Sequence, residues 1–327
     1  MSKQKLTAEE IVKVQNHMKT IMSQPNMDYF MAQTVGDVYD QEMPFPEILN
    51  SIARTARAGN RPEDNHVYYM TPDSIDKKVF ILSGNCNVTQ AQVTPNTRTE
   101  LTFVEVVTND YWICLGDFLK GDHDALNFYA KSIDEALNRY EVKNVLALLD
   151  AAAVAETQTF TLTSGQDGFD YNKAIDMKFA LAGYGKNFVL ISGANVSKDV
   201  ALMDKVANTF REYNLTKANI AHIEIPFDWT VDTDASGQAS VIDPDVAYLV
   251  AVSDSMDNRS ILVARRDVSL AADLPGTENA GKDRIVMHTG NIKNVGSTVK
   301  LARGVIGYEN FGAVIINTKT VAKFTRI

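Results

Sequence analysis

From Asp124 to Ala155 the chain contains neither glycine nor proline. Its apolar residues recur at helical spacing: Leu126, Tyr129, Ile133, Leu137, Tyr140, Val145, Leu148 and Ala152. At 1.5 Å per residue a single helix there would be about 45 Å long, where an ordinary helix has about 11–12 residues. Any fold for this chain must be built around that rod. Asp122 or Asp124 can cap its start, and the stripe breaks at Glu141-Val142-Lys143-Asn144, where a bend is expected.

What precedes the rod does not read as a domain core. Residues 1–24 form an amphipathic helical pattern, with a Thr7/Glu10 capping box, a stripe of Ile11, Val14, Met18 and Ile21, and a stop at Ser23-Gln24-Pro25-Asn26. It reads as an arm that docks on a neighbour rather than a helix packed on its own domain. Residues 25–70 show little regular pattern, which is unusual inside a compact domain and suggests an arm laid along something else. Val79-Phe80-Ile81-Leu82 starts an ordinary buried strand. Asn87–Val93 and Thr97–Phe103, joined by Thr94-Pro95-Asn96, carry Thr and Gln on both alternation faces. A hairpin polar on both faces buries little, so this one is expected to project and be held by other subunits.

After the rod, helix and strand patterns alternate. Tyr171–Leu181 is helical and stops at Gly183; Phe188–Ser192 is a short buried strand; Asn195 or Ser197 caps a helix to about Phe210. Strands follow at Ala221–Ile225, Ala247–Val252 and Ile261–Ala264, then at Ile285–His288, Val299–Ala302 and Gly312–Asn317. The class is α+β with an open sheet.

The chain has 327 residues, 45% of them hydrophobic, which allows two domains or one large body with appendages. With 32 Lys+Arg against 41 Asp+Glu the net charge is −9, and the longest basic run, Arg265-Arg266, meets Asp267 at once. That balance argues against a protein gripping nucleic acid over a broad surface. No signal peptide and no apolar run of about 18 residues is present, so no membrane span is expected. Cys86 and Cys114 are either reduced thiols or one bridge; reduced thiols are expected.

No catalytic, cofactor or metal constellation emerges. His17, His66, His123, His222 and His288 lie too far apart for a zinc pattern, and His222, between strand residues, reads as a packed or surface imidazole. Gly183-Tyr184-Gly185-Lys186 lacks the spacing of a phosphate loop and reads as a helix stop and turn. Glu9-Glu10 and Asp134-Glu135 point to different sides of helices and read as solvated faces. The stretch Asp232-Thr-Asp234-Ala-Ser236-Gly237-Gln238-Ala-Ser240-Val-Ile-Asp243 has calcium-loop spacing, with oxygen ligands at positions 1, 3, 5 and 9, glycine at 6 and a carboxylate at 12. Its short final Asp and strand-like flanks favour a plain hairpin loop.

The order of capped arm, extended stretch, two-sided polar hairpin, spine helix, α+β lobe and β return resembles the major capsid proteins of tailed phages, with the Hong Kong 97-like fold. Locally, Arg303-Gly-Val-Ile-Gly307-Tyr308-Glu-Asn-Phe311-Gly312 through Asn317 to Val321-Ala322 is similar to that family's closing segment, where a Tyr/Phe-Gly turn precedes a strand. Asn187–Ala194 is similar to its first axial strand and helix.

The resemblance implies an arm over 1–60, an extended hairpin loop over 61–110, a peripheral domain from 111–165 with 300–327, and an axial domain over 166–299. It implies a non-enzymatic subunit that self-assembles into hexameric and pentameric capsomers of an icosahedral shell around double-stranded DNA. Assembly would take place in the host cytoplasm, without sequence-specific DNA binding. Portal and cement proteins are implied as partners. Only about 24 residues precede Pro25, which implies scaffolding by a separate protein. Some relatives crosslink a hairpin lysine to an asparagine of the next subunit. Lys77 and Lys78 lie before the hairpin here with no aligned asparagine and acid, so no crosslink is expected. An encapsulin-like bacterial compartment and a soluble calcium-binding α+β protein are the alternatives.

Overall fold

The computed structural model describes residues 45–58, 66–69, 97–109, 111–114, 124–162, 168–210, 215–216, 218–230, 240–254, 259–266, 284–289, 292–295 and 298–326. The amphipathic stretch 1–24, the strand start at 79–82, the hairpin strand 87–93, Cys86, Lys77, Lys78 and most of the Asp232–Asp243 loop lie outside those residues.

The Gly- and Pro-free stretch is one unbroken 32-residue helix, α2 (Asp124–Ala155). Glu141 does not break its apolar face but belongs to it: Leu137, Glu141, Val145 and Leu149 follow at four-residue steps, and all four are buried. The segment read as patternless contains α1 (Glu47–Ile52), entered from Pro46, and strand β1 (Ala53–Ala58). Ile48, Leu49, Ile52 and Ala53 join the main core. A six-residue helix is too short to show a period, and Ala-Arg-Thr-Ala-Arg-Ala has no apolar alternation, so neither was visible.

A seven-stranded sheet is organised by one 18-residue strand, β13 (Thr298–Ile315). Along one edge it pairs in turn with β12 (Ile292–Val295), β11 (Arg284–Thr289) and β10 (Ile261–Arg266). Along the other it pairs with β5 (Tyr111–Cys114) and β4 (Phe103–Val107). Strand β1 runs parallel to β10. The sequence reading divided β13 into two strands with a turn at Phe311-Gly312. The strand instead continues through, because Gly312 lets Thr102 O come within 2.9 Å of where a Cβ would stand. The turn falls at 316–320. Strand β3 (Thr97–Glu100) pairs with β2 (His66–Tyr69) as a separate antiparallel ribbon.

The five-stranded sheet has the order β6-β14-β9-β7-β8, with β6 at Thr159–Thr161, β7 at Asn187–Ser192, β8 at Ile220–Glu224, β9 at Val246–Val252 and β14 at Val321–Thr325. Side-chain alternation divides it between two cores. Val189, Ile191, Tyr248, Val250, Val252 and Val321 face α2 and the other sheet. Phe188, Leu190, Ala247, Leu249, Ala251 and Phe324 face α3 (Tyr171–Ala180) and α4 (Ala194–Phe210). Covered on both faces, β9 is buried at all seven positions and reads as a continuous apolar run.

Asp170 caps α3 by accepting from Lys173 N at 2.8 Å, and 181–184 form the turn expected around Gly183. Helix α4 starts one residue before its expected caps. Asn195 and Ser197 lie in its first turn, where Asn195 Nδ2 donates to Asp245 and Ser197 N donates to Gly193 O. Gly193 is required there, since a Cβ would fall on Asp243 O.

Candidate functional site

The strongest functional geometry is the joint between α2 and the long strand. Residues 307, 309 and 311 alternate onto the face of β13 that meets the helix. At Gly307 the backbones come closest: a Cβ would fall on Ile133 Cγ2 and stand 3.4 Å from Leu137 Cδ1. Thr108 holds that glycine from the sheet side, its Oγ1 accepting from Gly307 N at 2.8 Å and its N donating to Gly307 O at 2.9 Å. Four residues on, Phe311 meets Tyr140 edge-to-face with ring centroids 6.3 Å apart.

Between those apolar contacts lies a cluster of buried charge. Arg265 on β10 forks onto Glu141, Nε to Oε1 at 2.5 Å and one terminal nitrogen to Oε2 at 2.9 Å, with both side chains fully buried. Arg284 on β11 reaches three carboxylates: Glu309 Oε2 at 2.6 Å, Asp134 Oδ1 at 2.5 Å and Glu141 Oε1 at 3.2 Å. Phe45 lies over the Arg265 guanidinium at 4.1 Å and closes the cluster on the α1 side. Burial alone would lower the Arg284 pKa, but Glu141, Glu309 and Asp134 together hold it above its ordinary value. Burial, reinforced by the neighbouring Glu141 charge, pushes the Glu309 carboxyl upward.

This corrects one reading: Asp134 is only partly solvated and is an ion-pair partner of Arg284. The Arg265-Arg266 run divides. Arg265 is buried, and Arg266 lies over the Phe103 ring at 4.4 Å. The sequence reading missed the cluster, although a charge at an apolar-stripe position of the helix and arginines bounding apolar strands were its available signs.

A second joint ties the two sheets together. The chain passes between them from β9 to β10 and again at 316–320, and Ser260 Oγ, just before β10, meets Thr320 Oγ1 at 2.7 Å. Asn317 Oδ1 accepts from Lys319 N at 3.2 Å, Gln158 O accepts from Lys323 N at 2.9 Å, and Thr318 Oγ1 donates to Glu156. Nearby, Tyr248 donates to Asp150 at 3.0 Å. Its phenol is pushed well up by burial and by the Asp150 charge.

His222 lies half-buried on a cleft of about 600 Å³ whose walls include Asn187, Asn219, Asp254 and Arg259. Its Nε2 is 2.7 Å from Ser192 Oγ, which also meets Ser197 Oγ at 2.7 Å. Ser192 is fully buried, so its hydroxyl does not face the cleft as a nucleophile. Arg259 holds the end of α1 by donating to Asn50 O at 2.5 Å and Ala53 O at 2.8 Å. Among the described residues no group of three or more His, Cys, Asp or Glu side chains is placed to hold a metal, and no helix is long and apolar enough to cross a membrane. Cys114 is a free, half-buried thiol on β5.

No family model and no curated protein matches this sequence. Solved structures do. The capsid structure of cyanophage P-SCSP1u superposes with a TM-score of 0.52 at 8% identity, over 88% of this chain and 90% of that one. A chain from Mycobacterium phage Bobi gives 0.54 at 14% identity, over 89% and 94%. One from Gordonia phage Cozz gives 0.51 at 11% identity, over 88% of each. The fold is the Hong Kong 97-like capsid fold. In this chain the buried charges join α2 to the β13 sheet.

Proposed function

We propose that the chain is the structural subunit of an icosahedral phage head, self-assembling into hexameric and pentameric capsomers that enclose double-stranded DNA. The observation that carries this is end-to-end likeness of fold: about nine tenths of this chain matches about nine tenths of a cyanophage capsid chain. The two joints fit the role, because a shell subunit must keep one rigid shape while it packs against copies of itself.

In this reading residues 1–60 are an arm, 61–110 an extended hairpin loop, 111–165 with 300–327 the peripheral domain and 166–299 the axial domain. These are divisions of sequence more than of hydrogen bonding. Strand β10, from the axial range, and β1, from the arm range, pair into the β13 sheet, while β14, from the peripheral range, joins β9. Scaffolding, portal and cement functions would come from other proteins, the subunit would be non-enzymatic, and no covalent crosslink would form. The protein would reside in the virion after assembly in the host cytoplasm.

Electron microscopy of the expressed full-length chain, with light scattering on the same sample, tests the reading. Closed shells, rings or sheets of capsomers are expected. A discrete monomer at every concentration, with residues 61–110 protected from proteolysis, would overturn it. Nucleic acid within the particles supports a phage head, whereas particles holding a protein cargo and no DNA indicate a bacterial compartment.

A further inference from the structure

We propose that the α2–β13 joint is a proton-binding site: Glu309 is held as a neutral carboxylic acid near neutral pH, and its ionisation loosens the helix from the sheet. The inference concerns contacts within one chain and does not depend on the shell reading.

Charge counting within the cluster leads to it. Among the described residues two guanidinium groups, Arg265 and Arg284, face three carboxyl groups, Asp134, Glu141 and Glu309. Four of these five side chains are at most 1% exposed, and Asp134 at 33% is the one that solvent reaches. With all five ionised the site would carry one uncompensated negative charge in a medium that solvates it poorly. With one proton bound, the charges balance.

Geometry selects which carboxyl holds the proton. Glu141 meets both guanidiniums and uses both oxygens, so it is the best-compensated anion. Asp134 takes a short contact from Arg284 and keeps access to water. Glu309 has only Arg284 at close range, on Oε2, with Arg265 at 3.9 Å. Its Oε1 is buried and meets no hydrogen-bond donor among the described residues. An anion would leave half its charge bare there, while a neutral acid leaves a single weaker polar group. Among the described residues no other titratable group compensates it: on β4 its register partner is Val106, and Glu105 lies on the opposite face with Tyr308. In agreement, burial and the Glu141 charge push the Glu309 pKa up to about 8.

The sign of the linkage follows. An ordinary glutamate ionises near pH ~4.3, so between there and about 8 the folded chain holds a proton that the unfolded chain has released. Stability therefore falls as pH rises through that window, by up to about tenfold in the unfolding constant per pH unit, and levels off above it.

The first test is infrared spectroscopy of the full-length protein near pH 6.5. A protonated-carboxyl C=O band is expected, lost as pH passes 8–9 and absent in Glu309→Gln. Denaturant unfolding from pH 5 to 9 is the second. The variant, which keeps the shape of the neutral acid, should match wild type at pH 6 and show a flatter pH profile. No band in wild type at pH 6.5 overturns the proposal without needing any variant to fold. A band that survives in Glu309→Gln but disappears in Glu141→Gln, or an unchanged pH slope in Glu309→Gln, overturns the assignment to Glu309.

Discussion

Glu309 on β13 and Arg284 on β11 stand directly opposite each other across an antiparallel pair, joined Nε to Oε2 at 2.6 Å with both side chains almost fully buried. Cross-strand Arg–Glu contacts usually sit on a solvated face, where they contribute about 0.2–1 kcal/mol. This one lies beneath a helix, and the helix contributes two more carboxylates to it. The contact thus fixes where α2 rests on the sheet as much as how two strands pair.

Glu141→Ala leaves Arg265 and Arg284 buried with their best-placed partner gone. A loss of about 3–5 kcal/mol is expected, the usual cost of breaking a buried ion pair from one side. Urea unfolding monitored by circular dichroism measures it. A loss below about 1 kcal/mol would mean that the cluster does not brace the helix.

Gly307→Ala puts a methyl where Ile133 packs, so overpacking of about 1–3 kcal/mol is expected. Ile133→Ala removes the clashing atom at its own cost. In a double-mutant cycle the two changes should be strongly non-additive, the double variant losing less than the sum of the singles.

Tyr248 stays protonated beyond the ordinary tyrosine range because it is buried beside Asp150. An unfolded tyrosine ionises near pH ~10, so above that pH the folded chain holds a proton the unfolded one has lost. Stability is expected to fall as pH rises past about 10, and Tyr248→Phe should weaken that alkaline loss. Ultraviolet titration should show a tyrosine ionising above the ordinary range in wild type that is missing from Tyr248→Phe.

Asp170→Ala removes the cap of α3 while leaving both joints intact, so about 0.5–2 kcal/mol of stability should be lost. Particle formation at low temperature should survive it. Comparing its assembly with that of Glu141→Ala separates general destabilisation from loss of the braced helix.

With a net charge of −9, the chain should bind duplex DNA weakly in a gel-shift assay at physiological salt. Tight binding with a steep salt dependence would contradict the proposed role as a shell that leaves its DNA free to move.

Local pattern was enough to place the elements that announce themselves over a few residues. The period of α2 set its ends at 124 and 155, the apolar runs marked β7, β9 and β10, and Gly183 marked the stop of α3. The order of these elements also pointed to the capsid fold. Pattern could not show that β13 is one strand, because its continuity depends on five partners distant in sequence. Nor could it identify the charges at 141, 265, 284 and 309 as a core. A charged residue reads as surface until its counter-charge arrives, and here the partners come from up to 150 residues away, as between Arg284 and Asp134. Spacing along the chain therefore determined the helices, the strands and their order. Only the tertiary structure decided which charges were buried, since the desolvation that makes them costly and the pairing that makes them tolerable both begin when helix and sheet meet.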